Sequence, residues 1–340
     1  MPTLDDHRSA LAASGLSRRG LLAGGLGVGA LAVLSACGSS SEKTSAKKNG
    51  QTVTWTDARG KKIQLSSATR NVVAQSSAAA ALLDAGYQVK AAYGELTPKN
   101  GKLDYQAGQL NLSDLTVIGR TYGQFDVEKY AGVDPDLLID MCYDNKTLWY
   151  VPKNDVEQVE QVAPTLGIRA TGLDLPGMID QFMRLSKDLG GDTEGAAVSR
   201  AKATYDDALA AVRSAAKTNP RPRVVVMSSS TTNVYIADPE QSPDIGYLRE
   251  LGVTVPEIKA PAGMVFVTAS WERAADRPAD VILYDARVPR PTNAAWSRLP
   301  AVRAGQVYPW YAAAPYSYRS YGSVYAALAP KLRDARVVTS

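Results

Sequence analysis

Short apolar runs alternate with helical patterns along most of this chain, and that alternation limits the possible folds more than any other feature. Residues 71–74 and 136–140 are predicted strands, and helical patterns follow them at residues 77–85 and 154–162. The second strand is apolar enough to be buried on both faces, which is typical of parallel sheets covered by helices. Strands that alternate with helices in this way predict an α/β lobe.

A long helical pattern follows at residues 192–217. Its apolar residues recur at spacings of three and four and so share one face, which consists of Val198, Ala201, Tyr205, Ala208, Val212 and Ala216. At 1.5 Å per residue such a helix spans roughly 35–40 Å, about the width of a small domain. We expect Asp192 to cap its start, and Asn219 with the following proline to end it.

A second set of strand patterns lies beyond the long helix. Residues 223–227 and 280–284 are predicted strands, and the last helix is expected over about residues 320–334. The whole pattern predicts an α/β chain of two Rossmann-like lobes joined by a single long α-helix. Ligands of open α/β sheets bind at the carboxyl ends of the strands, and domain interfaces favour pockets. We therefore expect a ligand site in a cleft between the lobes.

The composition excludes several kinds of chemistry. The 340 residues include a single histidine, His7, and two cysteines, Cys37 and Cys142. His7 lies in an N-terminal segment that we expect to be removed, so the mature chain would contain no histidine. This excludes a Ser-His-Asp triad, a Cys-His pair and a His-based zinc site. The net charge of +4 is small and no dense basic face is evident, so we expect no binding to nucleic acid.

The first fifty residues are typical of an export signal. Arg18 and Arg19 precede an apolar stretch to Val33 that is shorter than the roughly 20 residues of a membrane-spanning helix, which indicates a twin-arginine signal peptide. The stretch ends in Leu34-Ser35-Ala36-Cys37, which resembles the bacterial lipobox. We therefore predict that Cys37 becomes the lipid-carrying N-terminus and anchors the protein to the outer face of the cell membrane.

These features predict five segments. They are a signal peptide at residues 1–36, a lipid-anchored flexible linker at 37–50, an N-terminal lobe at 51–190, a connecting helix at 191–219 and a C-terminal lobe at 220–340.

Four motifs occur in the order typical of one protein family. They are Val53-Thr54-Trp55-Thr56-Asp57 with Arg59-Gly60, then Phe125-Asp126-Val127-Glu128-Lys129 with Asp134-Pro135-Asp136, then Val162-Ala163-Pro164-Thr165, and finally Leu299-Pro300-Ala301-Val302 with Gly305-Gln306-Val307-Tyr308. Behind a lipobox they make the chain similar, over nearly all of residues 51–335, to the periplasmic binding proteins for ferric siderophores and cobalamin.

The resemblance implies both a fold and a function. The fold is that of class III solute-binding proteins, in which one long helix joins two lobes that open little. The implied function is a substrate-binding lipoprotein of an ABC importer, which captures a ferric siderophore and passes it to the permease. It implies no enzymatic activity and no cofactor, and we expect a monomer.

Candidate ligand contacts follow the predicted strands. Tyrosine is common, 17 residues against three phenylalanines, and it gives rigid contact area with a polar tip. The resemblance to hydroxamate-siderophore receptors implies that Arg120 and Tyr143 contact hydroxamate oxygens, although a one-residue insertion separates Arg120 from the family position. The full set of candidates is Arg120, Tyr122, Tyr143, Trp149, Tyr150, Arg287, Trp310, Tyr311, Tyr316 and Arg319. Tyr318, Tyr321 and Tyr325 are instead expected on one buried helical face.

Two glutamates are candidates for docking to the permease. In the family one glutamate on each lobe meets arginines of the membrane subunits, and Glu128 and Glu272 match these positions. Each lies near a predicted helix start, several residues ahead of a buried strand.

Other functions remain open at this point. Haem or cobalamin could replace the siderophore, since tyrosine can ligate haem iron. An exported carboxylate-based hydrolase and a passive adhesion protein are further alternatives, although no paired-carboxylate motif stands out.

Overall fold

An antiparallel hairpin opens the part of the chain described by the computed structural model, which comprises residues 52–98, 102–261 and 264–338. The first of the four sequence motifs lies in this hairpin, whose strands β1 (Val53–Thr56) and β2 (Lys62–Leu65) pair in antiparallel register. Trp55 lies in β1 and donates its indole N–H to Asp188 Oδ2 over 2.8 Å. The guanidinium of Arg184 lies 4.2 Å from the Trp55 ring. These contacts attach the hairpin to a later helix.

The first sheet has five strands, all parallel. Its order is β5-β4-β3-β6-β7, and the strands are β3 (Val72–Gln75), β4 (Ala91–Tyr93), β5 (Thr116–Val117), β6 (Leu137–Cys142) and β7 (Thr165–Arg169). Every residue of β3 and β6 is buried. Burial on both faces explains their mostly apolar sequences, as predicted for β6, and the buried polar residues Gln75 and Asp140 lie at or near the carboxyl ends of the strands. The order is that of a Rossmann-like half, and the chain reverses direction across the sheet between β3 and β6.

Four helices accompany this sheet. They are α1 (Ser76–Asp84), α2 (Val127–Gly132), α3 (Val156–Val162) and α4 (Leu175–Asp188).

Serine is a residue type that often caps a helix, but neither Ser76 nor Ser77 caps α1. The cap is the side chain of Gln75, whose Oε1 accepts the N–H groups of Ser77 at 2.9 Å and Ala78 at 3.2 Å. The longer glutamine side chain thus reaches the backbone N–H groups of the first helical turn that a capping serine would otherwise bind. Gly86 follows the helix end with φ +89°, as expected of a residue that must leave the helix in the left-handed region.

The predicted long helix is α5 (Ala196–Thr218). Of its predicted inner face, Val198, Tyr205, Ala208, Val212 and Ala216 are buried, and Ala201 is half-buried. The prediction that Asp192 caps the helix is wrong. The backbone N–H of Gly195 bonds to the Asp192 carbonyl, which closes a turn, and α5 begins only after it with Gly195 as its cap residue.

The second sheet also has five strands. Its order is β10-β9-β8-β11-β12, and the strands are β8 (Val224–Ser229), β9 (Asn233–Ala237), β10 (Phe266–Ser270), β11 (Val281–Asp285) and β12 (Val307–Trp310). The order repeats that of the first sheet, but β9 is antiparallel to β8 and β10. Only residues 230–232 join β8 to β9. A parallel crossover needs a dozen or more residues, so this short turn can only form a hairpin.

The remaining helices are α6 (Pro243–Glu250), α7 (Ala294–Arg298), α8 (Pro300–Arg303) and α9 (Tyr318–Arg333). Helix α9 packs along α5 at close range. A Cβ at Gly322 of α9 would lie 3.2 Å from the backbone N of Tyr205 in α5, tighter than ordinary van der Waals contact. Tyr321 and Tyr325 are buried on the α9 face, as predicted, and Tyr318 is half-buried. The connecting helix is therefore supported along its length by a second helix.

Two apolar cores lie on the sheets. The larger extends from the first sheet and the hairpin to α5, α6 and α9, and the smaller lies between the second sheet and the helices after β11. Within the described residues, no helix combines the length and the apolar character needed to cross a membrane.

Candidate functional site

Loops at the carboxyl ends of the strands bring the two halves of the molecule together. Tyr105 lies in a short helical turn at Tyr105–Ala107, and its hydroxyl donates to the carbonyl of Ala312, after β12, over 2.7 Å. The Tyr105 and Tyr311 rings meet edge to face with centroids 5.1 Å apart. Tyr105 was not predicted as a site residue, because it follows neither a strand nor a motif. The two sheets thus contribute to one aromatic region.

Aromatic side chains of the loop after β6 form the wall on the side of the first sheet. Tyr143 packs edge to face on Trp149 at 5.4 Å, and Tyr122 packs in the same way on Tyr150 at 5.5 Å. Trp149 and Tyr122 are exposed at 37% and 47%. The buried Tyr150 donates its hydroxyl to Gln106 Oε1 over 3.2 Å. Partly exposed rings held by buried neighbours give a rigid contact surface for a ligand.

The carboxylate of Asp140 holds this loop in place from the end of β6. Its Oδ2 accepts the backbone N–H groups of Tyr150 at 2.8 Å and Val151 at 3.2 Å, and its Oδ1 accepts that of Met141 at 2.8 Å. The side chain is fully buried, and this burial raises the pKa of Asp140 to about 7 despite the three donors. Asp140 therefore positions the aromatic loop, and its oxygens face the protein backbone.

A second group of aromatic residues lies on the side of the second sheet. Trp310 ends β12 and packs edge to face on Phe266 of β10 at 6.1 Å, and Phe266 meets Tyr235 of β9 at 6.4 Å. Tyr316 stacks on Tyr321, with centroids 5.8 Å apart and an interplanar angle of 14°. Phe266 and Tyr235 were missed by the sequence analysis, because the strands that carry them were not predicted.

Arg287 is engaged with a neighbouring carboxylate. Its Nε lies 2.9 Å from Asp285 Oδ1 and its Nη2 lies 2.7 Å from Asp285 Oδ2, which is a bidentate pair at the end of β11. Burial raises the pKa of Tyr143 to about 12, and the positive charge of Arg287 opposes that rise. Arg287, at the end of β11, therefore lies near Tyr143 of the loop after β6.

Asp244 is a further carboxylate at this site. It lies in the first turn of α6, and its Oδ2 accepts the indole N–H of Trp310 over 2.8 Å. Burial raises the pKa of Asp244, and its negative charge in turn contributes to the raised pKa values of Tyr143, Tyr316 and Tyr321. The sequence analysis missed Asp244, because nothing near it in the sequence marks a site.

Arg120 stands at the exposed edge of the aromatic wall. Its carbonyl oxygen accepts hydrogen bonds from the N–H of Leu96 and the hydroxyl of Thr97, each at 3.0 Å. Within the described residues its guanidinium has no hydrogen-bond or ion-pair partner. Tyr122, two residues on, is fixed by a bond from its backbone N–H to Glu95 Oε1 at 3.1 Å. The backbone around Arg120 is thus held by hydrogen bonds, while its guanidinium remains available to bind a ligand.

Arg319 has a partner away from these rings. Its Nε lies 3.0 Å from Oδ1 of Asp84 at the end of α1, and Asp84 Oδ2 accepts the hydroxyl of Ser317 at 2.7 Å. The predicted ligand contact of Arg319 is not tested by this geometry, but the guanidinium is already engaged.

The two predicted docking glutamates occupy equivalent positions. Glu128 lies in the first turn of α2, ahead of β6, and Glu272 begins a short helical turn at Glu272–Asp276, ahead of β11. Both side chains are exposed. A hydrogen bond from the Ser270 side chain lowers the pKa of Glu272, so this carboxylate is ionised at neutral pH.

The remaining observations concern the cysteines and possible metal ligands. Cys142 ends β6 as a buried, unbridged cysteine. Cys37, the twin arginines and the linker lie outside the described residues. In residues 52–98, 102–261 and 264–338, no cluster of three or more His, Cys, Asp or Glu side chains could hold a metal ion.

Comparisons with known proteins agree with this architecture. The profile of the periplasmic binding protein family matches residues 72–314. DesE, a ferric-siderophore receptor protein from Streptomyces coelicolor, is 36% identical to this chain over 84% of its length and 99% of the length of DesE, with a TM-score of 0.78.

Two more distant structures share the fold. The siderophore periplasmic binding protein from the fuscachelin gene cluster of Thermobifida fusca is 21% identical, with 78% of this chain and 96% of that chain covered and a TM-score of 0.55. FhuD2 from Staphylococcus aureus, solved with bound ferrioxamine B, is 16% identical, with 77% and 98% covered and a TM-score of 0.56. A comparison with curated protein sequences gave no match.

Proposed function

Because this chain belongs to the periplasmic binding protein family, we propose that it captures a ferric siderophore outside the cell and delivers it to an ABC permease. The observation that carries the proposal is the aromatic region built by both sheets, with Tyr143, Trp149 and Tyr122 on one side and Trp310 and Tyr311 on the other. The similarity to a ferric-siderophore receptor protein supports the same ligand class. A siderophore already fills the coordination shell of its iron, so the receptor needs to hold only the organic groups.

We favour a hydroxamate siderophore because of the charges at the site. Asp244 has no basic partner within the described residues, and Arg287 is already paired with Asp285. A ferric tris-catecholate core carries several negative charges and would be repelled by the Asp244 carboxylate, whereas a ferric tris-hydroxamate core is neutral. Apart from Arg120, the site thus offers no unpaired positive charge of the candidate residues to a highly anionic complex.

Arg120 supplies the donors that hydroxamate oxygens require. Its planar fork can donate two hydrogen bonds to adjacent oxygens, and its exposed position allows it to turn towards the ligand. Tyr143 stands on the same wall and can add a hydrogen bond. Arg120→Ala should weaken binding of a ferric hydroxamate by about 1–3 kcal/mol, the range for a hydrogen bond to a charged group, and Tyr143→Phe should cost less. Unchanged affinity in Arg120→Ala would remove Arg120 from the site.

Docking to the permease is assigned to Glu128 and Glu272. Both are exposed, and each precedes the strand that pairs with the central strand of its own sheet, β6 beside β3 and β11 beside β8. Two separated anionic points would fit a pair of permease subunits, each with a basic pocket. Surface ion pairs are individually weak, so the interaction depends on both contacts being made together.

The N-terminal segment would direct the protein out of the cell. The signal sequence and Cys37 would place the binding domain on the outer face of the cell membrane, tethered by the polar linker at residues 38–50.

Ligand titration of the purified protein tests this function. Tyrosine and tryptophan fluorescence should be quenched by a ferric hydroxamate with a dissociation constant between about nanomolar and micromolar, and a ferric catecholate should bind more weakly. Haem and cobalamin serve as competitors in the same assay. Tight binding of haem with a Soret band, and none of a ferric hydroxamate, would contradict the proposal.

A further inference from the structure

Asp244 is a partly buried carboxylate that lacks a cation. Its side chain points to the indole N–H of Trp310, 2.8 Å from Oδ2, and no Lys or Arg of the described residues forms an ion pair with it. The other carboxylates of the region are satisfied. Asp140 accepts three backbone N–H groups, and Asp285 holds Arg287 through both oxygens. Asp244 accepts the Trp310 indole and backbone N–H groups at the start of α6, but unlike the fully buried Asp140 it is half-exposed, and unlike Asp285 it has no cation of the described residues beside it.

The environment of this carboxylate makes an unpaired charge costly. Burial raises the pKa of Asp244, which shows that the ionised form is poorly solvated where it stands. One indole N–H and the start of α6 offset only part of that cost. Asp244 is nevertheless only half-buried, so a group that enters the cleft can reach it. A positively charged ligand group would supply the missing interaction.

The rings around Asp244 also suit a cation. The indole N–H of Trp310 lies 2.8 Å from its Oδ2, and its negative charge adds to the raised pKa values of Tyr143, Tyr316 and Tyr321, so aromatic residues of both halves lie near it. Aromatic faces attract an ammonium group through their quadrupole, and the attraction is stronger where water is excluded. A carboxylate among tyrosines and a tryptophan combines charge pairing with this effect.

We propose that Asp244 binds a protonated amine on an arm of the siderophore and so determines which ferric hydroxamates the protein prefers. This inference rests on the proposed function and deepens it. Arg120 at the outer edge would hold the oxygens around the iron, and Asp244 among the rings would select a ligand whose chain ends in a positive charge. A complex with an uncharged arm would leave the carboxylate buried and unpaired.

Two ligands that differ only at the terminal amine provide the test. Ferrioxamine B carries a free primary amine, and acetylation of that amine removes the charge without altering the hydroxamate groups. The wild-type protein should bind ferrioxamine B at least about tenfold more tightly than its acetylated form, the effect expected for a hydrogen bond between charged groups. Asp244→Asn keeps an oxygen for the Trp310 N–H, and it should bind both complexes with nearly equal affinity.

The controls separate the possible failures. Asp206→Asn changes an exposed carboxylate on α5 and should leave the preference of the wild type intact. Equal affinity of the wild type for the two complexes, or a preference that persists in Asp244→Asn, would overturn the role of Asp244. The comparison of the two ligands on the wild type needs no variant, so a folding defect in Asp244→Asn does not remove the test. If neither complex binds the wild type, the proposed hydroxamate function itself fails.

Discussion

The contact between α1 and α9 allows a sharp prediction about stability. Asp84, the last residue of α1, is 5% exposed and accepts both the Ser317 hydroxyl at 2.7 Å and Arg319 Nε at 3.0 Å. Burial raises the pKa of Asp84 even though both partners oppose the shift. Arg319→Ala removes the one cation that pairs, within the described residues, with a carboxylate that water hardly reaches, and the negative end of the α1 dipole adds to the repulsion.

The magnitude follows from the exposure of the two partners. Removing one partner of a fully buried pair costs about 3–5 kcal/mol. The Arg319 side chain is 47% exposed, and solvent screening reduces this to about 1–2 kcal/mol in the free energy of unfolding. In an Asp84→Asn background the amide keeps an acceptor for Ser317 and carries no charge. There, Arg319→Ala should cost less than about 0.5 kcal/mol, as for an ordinary surface substitution.

Urea denaturation of the wild type, the two single variants and the double variant at pH 8 measures this coupling. The account predicts that Asp84→Asn abolishes most of the cost of Arg319→Ala. An equal cost in both backgrounds would refute it, because the effect would then come from lost packing of the arginine chain rather than from the buried charge.

Three further predictions follow from other parts of the molecule. The pKa of Asp140, raised from 3.8 to about 7, means that the native protein still holds a proton that the unfolded chain has lost. Between about pH 4 and 7 the stability should therefore fall as pH rises, by up to about 4 kcal/mol, and should then stay level. Denaturation midpoints of the wild type and of Asp140→Asn, measured between about pH 4 and 7, check this. If the midpoints of the two proteins changed with pH in the same way, the prediction would be contradicted. Changing Glu128 and Glu272 together to Ala should abolish uptake of the ferric siderophore while affinity in solution stays intact, and each single change should give a partial loss. Normal transport by the double variant would remove both residues from the docking surface. Cys37→Ala should release the protein from the lipid anchor, and mass spectrometry of the wild type should find acyl chains at this residue; an unacylated N-terminus would contradict the assignment.

Much of the fold could be predicted because local patterns and tertiary environment agree. The β3 and β6 sequences are mostly apolar and are buried on both faces, and the α5 face repeats at helical spacing because it packs on one side only. The family, the class of fold and the assignment as a binding protein without a catalytic role are confirmed by the family match. The lobe boundaries at residues 190 and 219 stay predictions.

The errors in the fold have local physical causes. Helix caps depend on which side chain reaches the first N–H groups, and Gln75 competes successfully with the serines after it. The antiparallel β9 depends on a three-residue connection, whose shortness a pattern of apolar residues does not reveal.

The site was only partly predictable, because it is assembled from distant segments. Residues directly after a predicted strand, such as Tyr143 and Trp149, could be identified from their position. Tyr105, Phe266 and Asp244 could not, because their roles come from contacts with residues far along the chain: Tyr105 with Ala312, and Phe266 and Asp244 with Trp310.

Iron uptake by cells tests the central claim most directly. Cells that lack this protein should take up little radioactive iron from a ferric hydroxamate, and the wild-type gene should restore uptake while Arg120→Ala restores it less well. Iron supplied as a ferric catecholate should enter at the same rate with or without the gene. Uptake of the ferric hydroxamate at the wild-type rate in cells without the protein would contradict the account, provided that no second receptor for the same complex is present.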